Sequence, residues 1–557
     1  MSITDKIKMK ELKIKTKTLY LCELIYIILP IIIFLFGWTK WYIAVICCLA
    51  GAFCYKRMFS DNSLKKQDHN IKIIPIIFIV CCLVLIFVGY LCGWGRWVIQ
   101  TNDYEKHNAI LADLTNRSWP VYYHNGNEHS MLTYYIGQYI LPSIIGKIFN
   151  SFRITEIVVF VWSVIGIILV FLHLLSSLRI VHPVKQIGIL VIMILFSPTS
   201  YLTRVIAGLT YAKQFPIIIS EFVYISIEAK TCIQYVSNYA QLSWAFPQVI
   251  VCWIIILLLI DNKDNIRYYV PLILPAMIYS ILSFSGIVII AIFYALFILL
   301  KNRSVVAWFK QILSIENIIF AITVGSVFLS YYWGNVFSVK PDLVKFHFSA
   351  VHLAPWVFLV FYITCVLPYP LILVKRYYKN VLFVISSVII FILPLFCMGV
   401  FNDLMLRASI PAFFIIMYCI MDFLNKKIHN ISSFKLSAKL KTKQINCDKY
   451  KGKTSFNLKK MLKSENICTV FLILLLIIGA ICPILNIVDV LGQSPMFQTT
   501  KLKTWGTAET FANRDTDNTK NYDKIYNYYT YDLDNSLFHK YIARVQDTDM
   551  IKTGDNQ

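Results

Sequence analysis

The sequence predicts an all-α, polytopic integral membrane protein with about thirteen transmembrane helices. The mean hydropathy is +0.64, and only 15% of the 557 residues are charged, whereas soluble chains carry about a quarter. Many apolar runs reach about 18 residues, which is the length needed to cross the hydrocarbon core of a bilayer. The alternating segments of about ten residues that a transmembrane β-barrel requires are absent from the sequence.

The net charge of +23 indicates membrane topology rather than nucleic-acid binding. Lysines and arginines fall mainly in short segments between the apolar runs, as expected for cytoplasmic loops, and we predict no nucleic-acid partner. The fifteen cysteines are scattered and show neither metal-type spacing nor a disulfide framework. Low glycine with high isoleucine, lysine and asparagine favours a bacterial cell membrane as the location.

Residues 1–93 are predicted to contain a cytoplasmic segment followed by the first three spans. These spans lie near 19–37, 40–55 and 73–93. Six lysines between Lys6 and Lys17 precede the first span without an Ala-x-Ala cleavage site, which indicates an uncleaved anchor with a cytoplasmic N-terminus. Residues 94–153 then form an external loop. Within it, we expect 132–149 to form an interfacial helix on the outer surface, because glycines, a proline and a lysine shorten its apolar stretch.

Residues 154–424 form the predicted membrane core. Its spans lie near 155–177, 187–206, 245–260, 268–283, 285–300, 316–333, 355–374, 380–399 and 411–424. A basic cytoplasmic loop follows at 425–466, and attraction to anionic lipid is sufficient to explain its lysines. A last span at 467–489 leads to an external C-terminal tail, 490–557. This arrangement keeps nearly every basic loop on the cytoplasmic side.

The external loop concentrates carboxylate and histidine side chains, the types used in acid–base catalysis. Seven such groups fall within 27 residues, namely Asp103, Glu105, His107, Asp113, His124, Glu128 and His129. Asp103 and His107 are four residues apart and would share one face of a helix capped by Thr101 or Asn102. Two simpler interpretations stay open: Asp103 offsets the helix dipole, and His107 is an ordinary ring at the interface. Longer loops are more often functional, however.

A carboxylate and cations at the bilayer surface suit glycosyl transfer from a lipid-linked donor. The carboxylate takes the proton of the acceptor hydroxyl, and cations stabilise the departing phosphate. The outside-facing candidates for the phosphate are Arg96, Arg204, Lys213 and Arg407. Arg407 could equally pair with Asp403, which lies one helical turn earlier.

A metal site is not predicted. His124, Glu128 and His129 could hold a divalent ion, but their spacing resembles none of the helix-borne zinc motifs. We therefore expect no cofactor.

From the external loop onward, the order of features resembles the GT-C glycosyltransferases of the protein O-mannosyltransferase and aminoarabinose-transferase type. The matching residues are Asp103, Leu132–Thr133–Tyr134–Tyr135, Gly146, Arg153, Arg407 and Pro411. The resemblance covers about residues 73–424 as a pattern. It implies that Asp103 is the catalytic base and that Tyr134 and Tyr135 belong to an external juxtamembrane helix.

The chain departs from that family in two ways. Two additional spans precede the loop, and the usual acidic pair is replaced by Asn102–Asp103, with Glu105 two residues later. Either Asp103 or Glu105 could then be the base. We favour Asp103, because Glu105 has an alternative role at the reciprocal capping position.

These observations lead us to expect a membrane glycosyltransferase that moves a sugar from a polyprenyl-phosphate donor to a cell-envelope acceptor on the outer face. Asp103 or Glu105 would be the base, and His107 would orient the base or bind the acceptor. The predicted substrate-binding residues are Arg96, Asp113, His124, Glu128, Tyr134, Tyr135, Lys213 and Arg407.

Two alternative functions stay open. In a polysaccharide polymerase or ligase, Arg407 would matter and Asp103 would not. In a transporter or flippase of lipid-linked sugar, a cavity would run through the whole bilayer. The scarcity of charged residues inside the predicted spans disfavours transport, because coupled transporters usually carry intramembrane acids or bases.

Overall fold

The computed structural model describes residues 12–61, 69–101, 103–125, 128–207, 233–338, 347–348, 355–398, 402–441, 454–493, 529–530 and 533–544. Most of these residues are helical. Within this part of the chain, seven helices are long and apolar enough to cross a membrane, or eight if one bent pair counts as a single span. The chain is thus a helical, multi-pass membrane protein whose partner is the lipid bilayer.

The N-terminal part combines three apolar helices with the polar loop and its flanking helices. Its elements are β1 (Leu12–Lys15), α1 (Thr16–Trp38), α2 (Trp41–Ser60), β2 (Asn70–Ile73), α3 (Pro75–Leu91), α4 (Tyr104–Asn116), β3 (Tyr122–Asn125), β4 (Glu128–Leu132), α5 (Gly137–Ile148) and α6 (Phe152–Ser177). Helix α5 has 12 residues, so its length of about 18 Å is too short to cross a bilayer. It corresponds to the interfacial helix expected at 132–149.

The described residues after α6 are also mostly helical. Their elements are α7 (Pro183–Leu195), α8 (Ser200–Ala207), α9 (Asn238–Trp244), α10 (Phe246–Asp261), α11 (Tyr269–Ile273), α12 (Ile281–Asn302), α13 (Val305–Ile312), α14 (Ile315–Phe320), α15 (Ser326–Ser338), β5 (His347–Phe348), α16 (Pro355–Phe361), α17 (Pro368–Tyr377), α18 (Val381–Ile392), β6 (Phe396–Cys397), α19 (Asp403–Ala408), α20 (Ile410–Lys441), α21 (Thr454–Gln493) and β7 (Tyr529–Thr530). The predicted basic loop 425–466 is partly helical, since α20 and α21 both extend into it.

Each predicted span coincides with apolar helix, but prolines interrupt several of them. The run 187–206 is divided between α7 and α8 around Pro198, and the run 268–283 consists of short turns that contain Pro271 and Pro275. Helices α16 and α17 meet at a bend of 49°. Proline removes a backbone hydrogen bond and clashes with the preceding turn. Five further apolar helices in the described part of the chain are only 10 to 17 residues long, and the number of crossings stays a prediction.

Three small sheets accompany the helices, which the all-α prediction did not include. Strands β3, β4 and β7 form an antiparallel sheet, and β1–β2 and β5–β6 form two-stranded ribbons. The sequence carries a signal for the hairpin: the two residues between the strands are Gly126 and Asn127, and a Gly-Asn pair between two strand-like runs is typical of a β-hairpin. Because β4 extends to Leu132, helix α5 begins only at Gly137. Tyr134 and Tyr135 thus lie in the turn before α5, not within the juxtamembrane helix that the family resemblance implied.

Contacts between distant segments gather at two ends of the helical bundle. One end, called the ribbon end below, holds the β1–β2 ribbon and the carboxylate of Glu316, which binds Arg57 at 2.9 Å and Arg267 at 2.8 Å. The other, called the loop end, holds α4, β3 and β4. There β4 pairs with β7, and Thr39 pairs with Ala543. Each of these contacts joins segments that the sequence analysis places on the same side of the membrane.

Burial along the helices fits a bundle surrounded by lipid. Helix α10 is apolar on all faces and buried nearly throughout, which places it at the centre of the bundle. Helices α2 and α3 instead expose large apolar side chains, for example Leu49 at 66% and Leu83 at 58%. Exposed leucines in this number are expected where acyl chains replace water as the solvent.

Candidate functional site

Asp103 lies at the N-terminal boundary of α4, at the loop end. Its backbone is already helical, and its side chain caps none of the helix amides. Its Oδ1 atom accepts a hydrogen bond from Lys106 Nζ at 3.0 Å, while no donor reaches its Oδ2 atom within the part of the chain that the structure describes. The side chain is 43% exposed. One carboxylate oxygen is thus held in place and the other is open to a ligand.

Neighbouring side chains keep this carboxylate ionised. Burial raises the pKa of Asp103, but the interactions with Lys106, His107 and Arg407, in that order, outweigh burial and hold the pKa below its ordinary value. Asp103 therefore carries a negative charge at neutral pH, which a general base requires. Lys106 was not among the residues predicted for the site, although its i,i+3 spacing from Asp103 is visible in the sequence.

His107 is buried beneath Asp103 and fully occupied by protein groups. Its Nε2 atom lies 3.0 Å from the Trp244 carbonyl oxygen, and its Nδ1 atom lies 2.7 Å from the Tyr139 hydroxyl. A neutral ring satisfies both, with Nε2–H donating to the carbonyl and Nδ1 accepting from the hydroxyl. Burial, followed by the charge of Lys106, lowers the His107 pKa to about 3. The ring links α4 to α5 and to the end of α9, and has no atom left for a substrate.

Arg407, on α19, forms the second charged group near Asp103. Its Nε and Nη2 atoms contact Asp403 Oδ1 at 3.0 and 2.9 Å, so the pairing alternative is present in the structure. Its Nη1 atom donates to the Tyr135 hydroxyl at 3.2 Å. The rings of Tyr134 and Tyr135 lie against each other, with centroids 3.7 Å apart. The structure thus brings Arg407, Tyr134 and Tyr135 together beside Asp103.

Arg96 belongs to a different cluster. Its guanidinium binds both carboxylate oxygens of Glu156, at 2.5 and 2.9 Å. Arg153 binds the same carboxylate at 2.8 Å and stacks over the Trp97 ring. Glu156 is buried, so two arginines neutralise a carboxylate that would otherwise be costly to desolvate. This arrangement ties the turn after α3 to the start of α6.

A small polar cavity lies between the Arg96–Glu156 pair and His107. Its volume is about 20 Å³, which is room for about one water molecule and far below the roughly 300 Å³ of the smallest ligand pockets. Its polar lining comes from Arg96, Gln100, Tyr104, His107, Asn108, Tyr139 and Glu156. Neither Asp103 nor Arg407 lines it. The open oxygen of Asp103 thus faces the surface of the loop end rather than this cavity.

The remaining predicted residues take different positions. Asp113 is buried and accepts a hydrogen bond from the Tyr123 hydroxyl at 2.7 Å, which ties α4 to β3. Glu105 is partly exposed on the first turn of α4. His124 and Glu128 belong to the hairpin strands, but their side chains, like that of Arg204, lie outside the described structure, as do Asn102 and Lys213. Among the described residues, no group of three potential ligands could hold a metal ion.

Comparisons of the chain with protein families, with curated proteins and with solved structures found no match. Its chemistry therefore has to be inferred from its own side chains.

The sequence analysis missed a second group of ionisable residues, inside the helical bundle. Glu23 and His173 lie within apolar runs and are fully buried, and they meet near the ribbon end. The sequence could have revealed them, because ionisable residues are rare inside membrane helices and their positions within apolar runs are visible.

Proposed function

We propose that the chain is an integral-membrane glycosyltransferase with a GT-C-like arrangement of about thirteen crossings. It would take a sugar from a polyprenyl-phosphate donor and pass it to a cell-envelope acceptor at the loop end, which would be the outer face of a bacterial membrane. The sorting of distant contacts into two ends, as the alternating topology requires, supports this arrangement.

The observation that carries the proposal is the ionised, half-exposed carboxylate of Asp103 beside two cations. In this reaction the open Oδ2 atom accepts the proton of the acceptor hydroxyl as the oxygen attacks the anomeric carbon. Lys106 fixes the other oxygen, so the carboxylate needs little reorganisation. Glu105 has no such cation partner among the described residues, and we therefore assign the base to Asp103.

The phosphate is assigned to Arg407. Its pair with Asp403 uses one carboxylate oxygen, and the Asp403 side chain is 40% exposed. The Arg407 side chain itself is 19% exposed, so a phosphate would reach the guanidinium from the side of Asp403 and compete with that carboxylate. Arg96 is less suited, because Glu156 already occupies two of its nitrogens.

The decisive experiment replaces Asp103 by Asn. Membranes containing the protein would be incubated with a panel of synthetic polyprenyl-phosphate sugars, and release of polyprenyl phosphate would be measured. We expect a loss of roughly 10²- to 10⁴-fold, the usual contribution of a general base, with unchanged expression and melting temperature. Glu105→Gln is the matched control, one residue along the same helical turn, and should retain transfer.

The opposite pattern would overturn the assignment. If Asp103→Asn retains transfer while Arg407→Gln abolishes it, the polymerase or ligase alternative is favoured over a base at Asp103.

A further inference from the structure

A buried trio of ionisable side chains connects three helices near the ribbon end. His173 on α6 lies between Glu23 on α1 and Asp261 at the end of α10, with its Nδ1 atom 2.8 Å from Glu23 Oε1 and its Nε2 atom 3.1 Å from Asp261 Oδ2. The side chains of His173 and Glu23 are completely buried, and that of Asp261 is 15% exposed. One buried imidazole is therefore shared between two carboxyl groups, of which only Asp261 is partly exposed.

Asp261 is well supplied with hydrogen-bond donors. Besides His173, its carboxylate accepts from the Tyr20 hydroxyl and, at 3.0 Å, from Ser177 Oγ. The Ser177 hydroxyl also lies 2.8 Å from the hydroxyl of Tyr418 on α20. A carboxylate with several donors is stabilised in its charged form. With carboxyl groups at both ring nitrogens, His173 is likewise stabilised as an imidazolium.

Glu23 differs from Asp261 in one respect. Its Oε1 atom faces His173, but its Oε2 atom is buried and receives no hydrogen bond in the described part of the chain. A charged carboxylate with an unsatisfied buried oxygen carries a large desolvation cost. Protonation of Glu23 neutralises the carboxylate, so its Oε2 atom no longer carries an unsatisfied negative charge. Glu23 is thus the member of the trio whose protonation relieves the most unfavourable contact.

We propose that Glu23, with His173 and Asp261, forms a proton-binding site inside the membrane domain that exchanges with solution at the ribbon end. The step is a simple protonation, in which the Glu23 carboxylate and one proton give the neutral carboxylic acid. Asp261, the partly exposed member, marks the side from which the proton enters. The groups that face the site are Tyr20 and Glu23 from α1, His173 and Ser177 from α6, Asp261 from α10 and Tyr418 from α20.

The site couples protonation to helix packing. When Glu23 is protonated, His173 holds α1 and α10 together without an unsatisfied negative charge, and when Glu23 releases the proton that charge returns. Ionisable groups inside membrane helices commonly mark proton pathways. The inference is independent of the transfer reaction at Asp103, since the two sites lie at opposite ends of the bundle.

Infrared difference spectroscopy of the purified full-length protein in detergent tests the proposal. A buried carboxylic acid has a carbonyl stretch that is distinct from that of a carboxylate. We expect this band in the wild-type protein at mildly acidic pH and its loss at alkaline pH. Glu23→Gln should lack the titrating band. Glu316→Gln is the control, because Glu316 is also buried but binds Arg57 and Arg267 through its oxygens, and it should retain the band.

A second variant keeps the test informative if Glu23→Gln does not fold. His173→Gln removes the cation that competes with the proton, so the Glu23 band should persist to higher pH than in the wild type. Absence of a titrating buried-acid band from the folded wild-type protein would overturn the proposal. So would its persistence in Glu23→Gln, or an unshifted titration in His173→Gln.

Discussion

At the scale of single residues, a difference in burial gives different charge states to two side chains that lie one helical turn apart. Asp103 keeps an exposed oxygen and two nearby cations, so it stays charged. His107 is enclosed by Tyr139 and the Trp244 carbonyl and stays neutral. The i,i+4 spacing that placed both on one face is visible in the sequence. The sequence does not show that one side chain stays charged and the other neutral. That difference depends on α9 and α10, which are more than a hundred residues away in the chain.

The neutral state of His107 predicts acid sensitivity. Its pKa falls from 6.5 to about 3 in the folded protein, so the unfolded chain binds a proton that the folded chain excludes. The resulting stability is present above pH 6.5 and is lost as the pH falls towards 3, with a total on the order of 5 kcal/mol. His107→Gln can make the same two hydrogen bonds without titrating. Its melting temperature should therefore fall less steeply with acid than that of the wild type.

The matched control for that experiment is His182→Gln. His182 is exposed and precedes α7, so its removal should leave the acid sensitivity of the wild type intact. The measurement is the melting temperature of the wild type, His107→Gln and His182→Gln as a function of pH over the acidic range. Equal slopes for wild type and His107→Gln would show that the ring is protonated in the folded state.

At the scale of helices and strands, the sequence predicts apolar helices well and their interruptions poorly. Hydrophobic run length locates α1, α2 and α6 closely, because membrane burial alone selects such runs. It does not show where Pro198 divides a run, or that β4 delays the start of α5 to Gly137. Tyr135 reaches Arg407 only because of that turn. These features depend on tertiary pairing, which a hydropathy pattern does not contain.

The C-terminal segment 533–544 is attached to the loop end by backbone pairing with residues 38–40 and by one buried aromatic side chain. Phe538 is completely buried and packs on Phe34 and Tyr331, with ring centroids 6.4 and 5.2 Å apart. Phe538→Ala should remove about 3 to 5 kcal/mol of packing. The remaining attachment is short: β7 pairs with β4 over two residues, and Ala543 pairs with Thr39. We expect the segment to detach and to become sensitive to limited proteolysis.

Tyr541→Ala provides the control for the detachment. Tyr541 lies on the same short helical turn but is 58% exposed, so its loss should leave the segment protected. If Phe538→Ala is cleaved no faster than Tyr541→Ala, the segment is held by contacts other than the aromatic cluster.

At the scale of the whole molecule, the two ends of the bundle carry different chemistry. The loop end holds the Asp103 site and the C-terminal segment, and the ribbon end holds the Glu316 arginine pair and lies near the Glu23 trio. From the positive-inside bias of the sequence, we expect the ribbon end to lie in the cytoplasm. An acceptor in the cell envelope could then reach Asp103, while the Glu23 trio would exchange protons with the cytoplasm.

This orientation predicts opposite labelling of two exposed positions. Asn302 ends α12 at the ribbon end, and Tyr541 lies at the loop end. In a background with Cys22→Ser, which removes the one cysteine classed as exposed among the described residues, and with Cys232→Ser and Cys447→Ser, a membrane-impermeant maleimide added to intact cells should label Tyr541→Cys and not Asn302→Cys. Both should react after the membrane is permeabilised, because both side chains are exposed in the folded chain. Labelling of Asn302→Cys in intact cells would place the ribbon end outside and Asp103 in the cytoplasm, where it could not serve an acceptor in the cell envelope.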